Sequence, residues 1–336
     1  MENSNKIVPP HLNAEIYRTD TTGTNNYSFL DYIRLHADGS VLIGSSELTG
    51  RYWNGGVTVF KSIAEAQSTN CDDRRSISLT SGTSDGCFVG SSNKILLCED
   101  TGAVSVWSHN DGEQNVWNHW RAEVTVAEHD DGVLAVDCLD PGQQYVTVGA
   151  DGNAKVWDIN DMICIRNYSA AHTMMINTVA VRPQSKNNFA TGSMDQFVTL
   201  WDENTDKPAL DLLKNDCCIR CVQWMGDNRL VVGDEAGALR VIDIRNPDTN
   251  VHLTEFPAAV HKIILHSESD KVAVCCDNKI VSVCDVSEGS ECKIIYHDRH
   301  MHSNYVRGLA WDVRDNKTLY SVGWNSEIKS HNMIWD

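Results

Sequence analysis

The sequence predicts an all-β protein, a seven-bladed β-propeller that forms a single domain over residues 1–336. One unit recurs along the chain at intervals typical of four-stranded blades. Its copies consist of short apolar or alternating runs bounded by turns, and helical periodicity is nearly absent outside residues 62–68. Hydrophobic residues make up 41% of the chain, which suffices for the core of one large β domain.

The repeat is clearest in two segments that share a histidine, an aspartate and a tryptophan. Their spacings are 22 and 6 residues in the first copy and 23 and 6 in the second. These residues are His129, Asp151 and Trp157 in one copy, and His172, Asp195 and Trp201 in the other. The tryptophan's register position recurs at 60, 107, 157, 201, 242, 284 and 331, and the pattern resembles the WD repeat.

In WD repeats the histidine, a serine or threonine, the turn aspartate and the tryptophan form a hydrogen-bonded chain. The resemblance therefore implies that His129 and His172 are structural and are neither ligands nor catalytic bases. In the third repeat Gly149 replaces the serine, and in the last Asn325 and His331 replace the aspartate and the tryptophan. We expect one complete chain of this kind, formed by His172, Ser193, Asp195 and Trp201.

A propeller must close its ring, and in this fold the N-terminal segment usually supplies the outer strand of the last blade. Residues 11–19, "HLNAEIYRT", are the candidate for that strand. Only five residues follow the last register position, at 331, which is too few for another strand.

The composition restricts the partners and the compartment. With 28 basic and 46 acidic residues the formal net charge is −18. Such a field disfavours nucleic acid and anionic membranes and favours Lys/Arg-rich peptides, with simple solubility as an equal alternative. No segment approaches 18 consecutive apolar residues, and the first ten residues lack a signal-peptide core. Many of the 12 cysteines lie in apolar runs, so we expect a reducing compartment, the cytoplasm and secondarily the nucleus.

Motifs for catalysis or metal binding are weak. "GTSDG" at 82–86 matches a nucleophile elbow around Ser84, but strand-like sequence follows where the motif needs a helix. Cys218 and Cys221 form a C-x-x-C with no second pair at ligand spacing. We therefore predict no enzyme activity, no metal and no cofactor, and we expect the chain to act by binding other proteins.

The first blade departs from the repeat in a way that indicates docking. Gly149 precedes its register position by 8 residues, whereas Gly44 precedes that of the first blade by 16, so this hairpin carries about eight extra residues. Asn-Gly is a strong turn signal, which places the tip of the extension at positions 54–55. Arginine, tyrosine and tryptophan are enriched at interface hot spots. The predicted partner-binding residues are Arg51, Tyr52, Trp53 and Asn54.

The chain also resembles a known family over nearly its whole length. The segment "ADGSVLIGSSELTGRYWNGGVTVFK" (37–61) is similar to the first blade of the WD-repeat subunit of the methylosome, the partner of the type II protein arginine methyltransferase. "ILLCEDTGAVSVW" (95–107), "VVGDEAGALRVID" (231–243) and "YVRGLAWDVRDNKTLYSVGWNSEI" (305–328) are similar to later blades. The resemblance implies a non-catalytic adaptor that docks on the methyltransferase and presents Arg-rich substrates, histone tails and Sm proteins, for symmetric dimethylation.

Other binding roles remain open. The main alternative is a methyltransferase-independent scaffold for ribonucleoprotein or Tudor-domain proteins. A ubiquitin-ligase substrate receptor would need a docking motif that we do not find. Direct RNA binding is opposed by the net charge of −18.

Overall fold

The computed structural model describes residues 29–49, 52–68, 76–109, 120–287, 292–315 and 317–334. In these ranges the chain forms 27 β-strands in seven antiparallel sheets, together with one short helix. Six sheets have four strands and one has three, and every sheet is built from strands that are consecutive in the chain. The prediction of an all-β, seven-bladed propeller is confirmed.

The seven blades follow one another along the chain, and each begins with the strand nearest the central axis. The single helix, α1 (Ile63–Ala66), lies between the third and fourth strands of blade one. By blade, the strands are β1 (Phe29–Leu35), β2 (Val41–Thr49), β3 (Tyr52–Phe60) and β4 (Ser76–Leu79) in blade one; β5 (Thr83–Val89), β6 (Ser91–Glu99), β7 (Ala103–Ser108) and β8 (Arg121–Ala127) in blade two; β9 (Val133–Asp140), β10 (Gln144–Gly149), β11 (Ala154–Asp158) and β12 (Ile163–Tyr168) in blade three; β13 (Ile176–Val181), β14 (Asn188–Ser193), β15 (Phe197–Asp202) and β16 (Leu210–Lys214) in blade four; β17 (Ile219–Met225), β18 (Arg229–Asp234), β19 (Ala238–Asp243) and β20 (Val251–Glu255) in blade five; β21 (Val260–Leu265), β22 (Lys271–Cys276), β23 (Val281–Asp285) and β24 (Lys293–Asp298) in blade six; and β25 (Val306–Trp311), β26 (Thr318–Gly323) and β27 (Ile328–Asn332) in blade seven.

The core lies between neighbouring blades. Between blades two and three, for example, Val104 and Val106 of β7 belong to one buried cluster with Tyr145 of β10 and Trp157 of β11. Trp157 is 0% exposed. Because both faces of such a sheet are covered, strands like "QYVTVG" need no strict alternation of polar and apolar residues.

The ring closes through the first strands. β1 packs beside β25 on one side and beside β5 on the other, so blade one lies between blades seven and two. The seven first strands enclose a central channel of about 240 Å³, to which each of them contributes lining residues. Blade seven has three strands in the described ranges. The expected closing strand at 11–19 lies outside the described residues and stays a prediction.

Every first strand carries one extra residue relative to the strand beside it, close to its beginning. In β1, Leu30 pairs with Ser45 and Tyr32 pairs with Gly44, which leaves Asp31 as the extra residue. Such β-bulges change the direction of a side chain. All seven bulge residues line the channel, and we call them the bulge ring: Asp31, Ser84, Leu134, Asn177, Arg220, His261 and Arg307.

Candidate functional site

The β2–β3 hairpin is longer than the equivalent hairpin of the repeat. In blade three, the pairing of β10 with β11 ends at Val148 and Ala154. Counted from the register positions at 60 and 157, the pairing in blade one continues five residue pairs further, to Thr49 and Tyr52, without a register shift. The extension expected from the spacing is therefore present in the structure.

The end of this hairpin projects beyond its own sheet. β1 pairs with β2 as far as Ser46, and β4 pairs with β3 as far as Gly55. The last three residue pairs, 47–49 with 52–54, have no flanking strand in the part of the chain that the structure describes. They form a two-stranded ribbon.

The structure places three of the four predicted docking residues in β3, namely Tyr52, Trp53 and Asn54. Arg51 lies outside the described residues. Asn54 pairs with Glu47 inside the ladder, so the chain reverses between positions 49 and 52. The prediction of a turn at positions 54–55 was wrong, because Phe60 pairs with Val41 at the core end and the unbroken ladder that follows contains Asn54 and Gly55.

The base of the hairpin is fixed against both neighbouring blades. A Cβ on Gly55 would lie 2.3 Å from the carbonyl oxygen of Ser81, so only glycine allows β3 to approach the start of blade two this closely. On the other strand, the Ser46 hydroxyl donates to one Asp31 oxygen, and Trp324 Nε1–H donates to the other over 2.8 Å. Burial raises the pKa of Asp31 in spite of these two bonds. Asp31 thus ties the hairpin to blade seven.

The hairpin projects from the side of the propeller where the second-to-third strand turns and the interblade loops lie, which we call the hairpin face. Its exposed apolar side chains include Met174, Met175 and Tyr305, at 48%, 38% and 41% exposure. In the described turns and loops of this face, the exposed Lys and Arg residues are Lys279 and Arg299. More numerous are the exposed carboxylates, Asp100, Glu128, Asp130, Asp131, Asp216, Glu235 and Glu327.

A buried hydrogen-bonded chain connects a turn and a loop of this face in blade four. Trp201 Nε1–H donates to Thr191 Oγ1 over 2.8 Å, and the Thr191 hydroxyl donates to His172 Nε2 over 2.7 Å. His172 Nδ1–H then donates to Asp195 over 3.0 Å. The directions follow because an indole N–H only donates and a carboxylate only accepts.

The linking hydroxyl belongs to Thr191 and not to Ser193, which corrects the sequence expectation. Trp201 pairs with Phe189, and Thr191 lies two residues further along the same face of β14, within reach of the indole. Ser193 Oγ donates instead to the carbonyl oxygen of Met175 over 2.9 Å.

Blades three and seven contain the same chain, so the expectation of a single complete copy was wrong. Blade three forms it over 2.8, 2.9 and 3.0 Å, through Trp157, Thr147, His129 and Asp151. Blade seven forms it over 2.7, 2.6 and 3.0 Å, through His331, Ser321, His302 and Asn325.

The substitutions in these blades keep the chain intact because each preserves the group that is needed. His331 Nε2–H donates as an indole N–H would, and Asn325 Oδ1 accepts as a carboxylate would. Gly149 replaces a residue that is not part of the chain. An alignment of the repeats would have revealed the hydroxyl, since it stands two residues before the glycine or serine in each copy: Thr147, Thr191 and Ser321.

Burial and hydrogen bonding set the protonation of these groups. Burial raises the pKa of Asp151, but hydrogen bonds from His129 and from two backbone N–H groups outweigh it and bring that pKa to about 2. Hydrogen bonds from His172 and from the backbone N–H groups of Phe197 and Thr173 likewise outweigh burial and lower the pKa of Asp195. Burial lowers the pKa of His331 to about 4. The side chains of His129 and Asp151 are 0% and 3% exposed, so they serve the scaffold.

The weak catalytic motifs gain no support from their surroundings. Ser84 lies in β5, which is followed by another strand, and its hydroxyl donates to the carbonyl oxygen of Val133. Cys218 and Cys221 are free thiols. Among the described residues, no group of three or more His, Cys, Asp or Glu side chains is arranged to hold a metal ion. The described helix is too short to span a membrane.

Comparison with known proteins agrees with this architecture. The family model of the WD domain, G-beta repeat, matches residues 121–158 and 162–202. The chain is 28% identical to methylosome protein WDR77 of Xenopus laevis over 309 residues, which is 90% of this chain and 88% of that protein. It is 26% identical to protein valois of Drosophila melanogaster over 59% of this chain and 56% of that one. It is 22% identical to ribosome biogenesis protein WDR12 homolog of Drosophila mojavensis, over 67% of this chain and 58% of that protein. The chain is therefore a seven-bladed β-propeller with WD-domain repeats at residues 121–158 and 162–202, and over most of its length it resembles methylosome protein WDR77.

Proposed function

We propose that this chain is a non-catalytic adaptor subunit of a protein arginine methyltransferase complex. The similarity to methylosome protein WDR77 extends over 90% of the chain and supports this class of function. The buried state of the scaffold histidines and the weakness of the catalytic motifs agree with an adaptor, whose methyl-donor cofactor and active site belong to its partner.

The observation that carries the proposal is the projecting end of the β2–β3 hairpin. Its last three residue pairs extend past the flanking strands, and its base is fixed by the glycine contact at Gly55 and by Asp31. A short ribbon whose base is fixed has less conformational freedom to lose on docking than a loop without strand pairing. We propose that Trp53 enters a pocket on the type II methyltransferase, with Arg51, Tyr52 and Asn54 around it.

The rest of the hairpin face suits a second role, the presentation of substrates. The excess of exposed carboxylates over Lys and Arg in its turns and loops would attract Arg-rich segments and raise their rate of encounter. We propose that such segments, histone tails and Sm proteins among them, are held there for symmetric dimethylation. The compartments are the cytoplasm and the nucleus, where such substrates occur.

The docking step is tested by Trp53→Ala in the full chain, co-expressed with the methyltransferase. Removing a central interface tryptophan commonly costs about 2–4 kcal/mol. We therefore expect the dissociation constant to rise by roughly 30-fold or more, at ~1.4 kcal/mol per decade, with the melting temperature unchanged. The matched control is Met174→Ala, which removes a 48% exposed side chain from the same face and should leave the affinity unchanged.

Unchanged co-purification of Trp53→Ala would refute docking through the hairpin. Equal loss in both variants would place the contact elsewhere on the face. A pull-down with and without the methyltransferase tests the class of function itself. Recovery of ribonucleoprotein or Tudor-domain proteins that does not depend on the methyltransferase would favour the independent scaffold instead.

A further inference from the structure

The bulge ring is not uniform around the channel mouth. Blades five and seven contribute Arg220 and Arg307, and blade six between them contributes His261, with Lys262 directly after it. All four side chains line the channel. The remaining blades contribute the acidic or uncharged members Asp31, Ser84, Leu134 and Asn177. Cations are thus concentrated on one arc of the mouth, in a protein whose net charge is −18.

These cations have one carboxylate among them. Arg307 Nη1 lies 2.6 Å from Asp277 Oδ1, and Arg220 Nη2 lies 3.7 Å from Asp277 Oδ2. The ammonium group of the half-buried Lys262 makes no hydrogen bond and no ion pair within 4 Å in the described part of the chain. Arg307 Nε is a buried donor without a partner there. On this arc of the mouth three cations therefore share one carboxylate in direct contact, and Asp85 across the channel acts on Lys262 from a distance.

Arg307 is held in place by aromatic rings. Its guanidinium lies 4.3 Å from the centroid of the Trp324 ring and 5.1 Å from that of Tyr305. Trp324 is itself fixed by its hydrogen bond to Asp31. The stacking restricts the guanidinium, whose Nη1 lies 2.6 Å from Asp277 Oδ1 and 3.0 Å from His261 Nδ1.

The carboxylates on the other side of the channel are already satisfied. Asp85 accepts two hydrogen bonds from Arg34 Nη2, at 2.7 and 2.8 Å. Asp137 accepts from the backbone N–H groups of Val181 and Cys138, at 2.7 and 2.8 Å. The unpartnered donors of the mouth therefore lie on the arc of blades five to seven, and this arc suits an anion better than a cation.

The pKa shifts of His261 and Lys262 are consistent with positive charge at the channel mouth. Burial lowers the pKa of His261 well below its ordinary value, and the neighbouring charge of Arg307 lowers it further. His261 is thus neutral at pH 7. Burial also lowers the pKa of Lys262, although the charge of Asp85 opposes the shift.

We propose that the mouth of the central channel is a binding site for a phosphate group, held by Arg220, Lys262 and Arg307. A phosphate oxygen accepts charge-assisted hydrogen bonds from each of these donors and offsets the excess positive charge. The site lies on the hairpin face but uses none of the hairpin residues, so it does not depend on the proposed docking.

The probe is pyrophosphate, titrated calorimetrically into the full-length chain at constant ionic strength. We expect binding in which Lys262→Met and Arg220→Gln each raise the dissociation constant at least tenfold. Lys186→Met is the matched control, because Lys186 is 70% exposed and pairs with Asp140 away from the mouth. It should bind as the unmodified chain does. A phosphoserine peptide, titrated in parallel, distinguishes a protein-borne phosphate from a free one by which of the two binds more tightly.

Thermal unfolding gives an independent readout. Pyrophosphate should raise the melting temperature of the unmodified chain and of Lys186→Met. Lys262→Met should melt higher than the unmodified chain without pyrophosphate, since an unpaired charge is gone, and should respond little to the ligand. Absence of binding by either probe at millimolar concentration would overturn the proposal, as would unchanged affinity in Lys262→Met.

Discussion

Thr191→Val removes a single hydroxyl from a fully buried position and replaces it with a methyl group of similar size. Thr191 is 0% exposed, accepts from Trp201 Nε1–H over 2.8 Å and donates to His172 over 2.7 Å. The substitution leaves an indole N–H and an imidazole nitrogen without partners in a site that water does not reach. Each such buried polar group costs about 1–3 kcal/mol, so we expect a loss of about 2–6 kcal/mol in the free energy of unfolding.

Ser193→Ala is the matched comparison, because the sequence pattern had given the linking role to Ser193. Its hydroxyl donates to the carbonyl oxygen of Met175, which keeps a bond from Met194 N–H when the serine is removed. It also accepts from Asp195 N–H, so one donor loses its partner where Thr191→Val leaves two groups unpaired. We expect a cost of about 1 kcal/mol. Urea unfolding followed by tryptophan fluorescence and circular dichroism measures both variants.

A double-mutant cycle with Trp201→Phe isolates the indole bond. Phenylalanine has no N–H, so Thr191→Val should cost less in that background than alone. The reasoning is refuted if Ser193→Ala costs as much as Thr191→Val, or if the cycle shows no coupling between the two residues.

Two further outcomes follow from the structure. Burial lowers the pKa of His331 from 6.5 to about 4, so its contribution to stability is complete above pH 6.5 and is lost as the pH falls toward 4. Over that window the shift changes the free energy of unfolding by about 3 kcal/mol. In His331→Gln the free energy of unfolding, measured with urea, should depend less on pH between 6.5 and 4. An unchanged pH dependence would contradict this assignment. Gly55→Ala places a methyl group 2.3 Å from the Ser81 carbonyl oxygen. It should cost about 1–3 kcal/mol in thermal or urea unfolding, and an unaltered stability would mean that the hairpin base is not fixed there.

The fold was predictable because the repeat is recognised from the spacing of its residues along the chain. A histidine, an aspartate and a tryptophan at 22 or 23 and 6 residues recur only if the same turn and loop recur. Even copies that lack these residues keep the register, since the position of Trp157 is filled by another residue in each blade. The length of the first hairpin was predictable for the same reason, from the distance between Gly44 and the next register position.

The details that failed depend on pairing, which spacing does not report. Asn54-Gly55 has the chemistry of a turn, but the unbroken ladder of β2 and β3 contains both residues. The role of Thr191 follows from which face of β14 meets the indole. The bulge ring could not be predicted from the sequence. Arg220, His261 and Arg307 share no motif, and all three face the channel because each is the extra residue of its first strand.

The two places proposed here for binding have one physical property in common. The interblade core restricts residues that face a neighbouring sheet, and the hydrogen-bonded chains restrict the turns. The end of the β2–β3 hairpin lies beyond the flanking strands, and the bulge residues face the channel, so neither is restricted in this way. A propeller can therefore change the length of a hairpin or the charge of a bulge residue without disturbing the packing of its blades. A longer hairpin or a charged bulge residue is therefore a place where a propeller can acquire a binding function without a new fold.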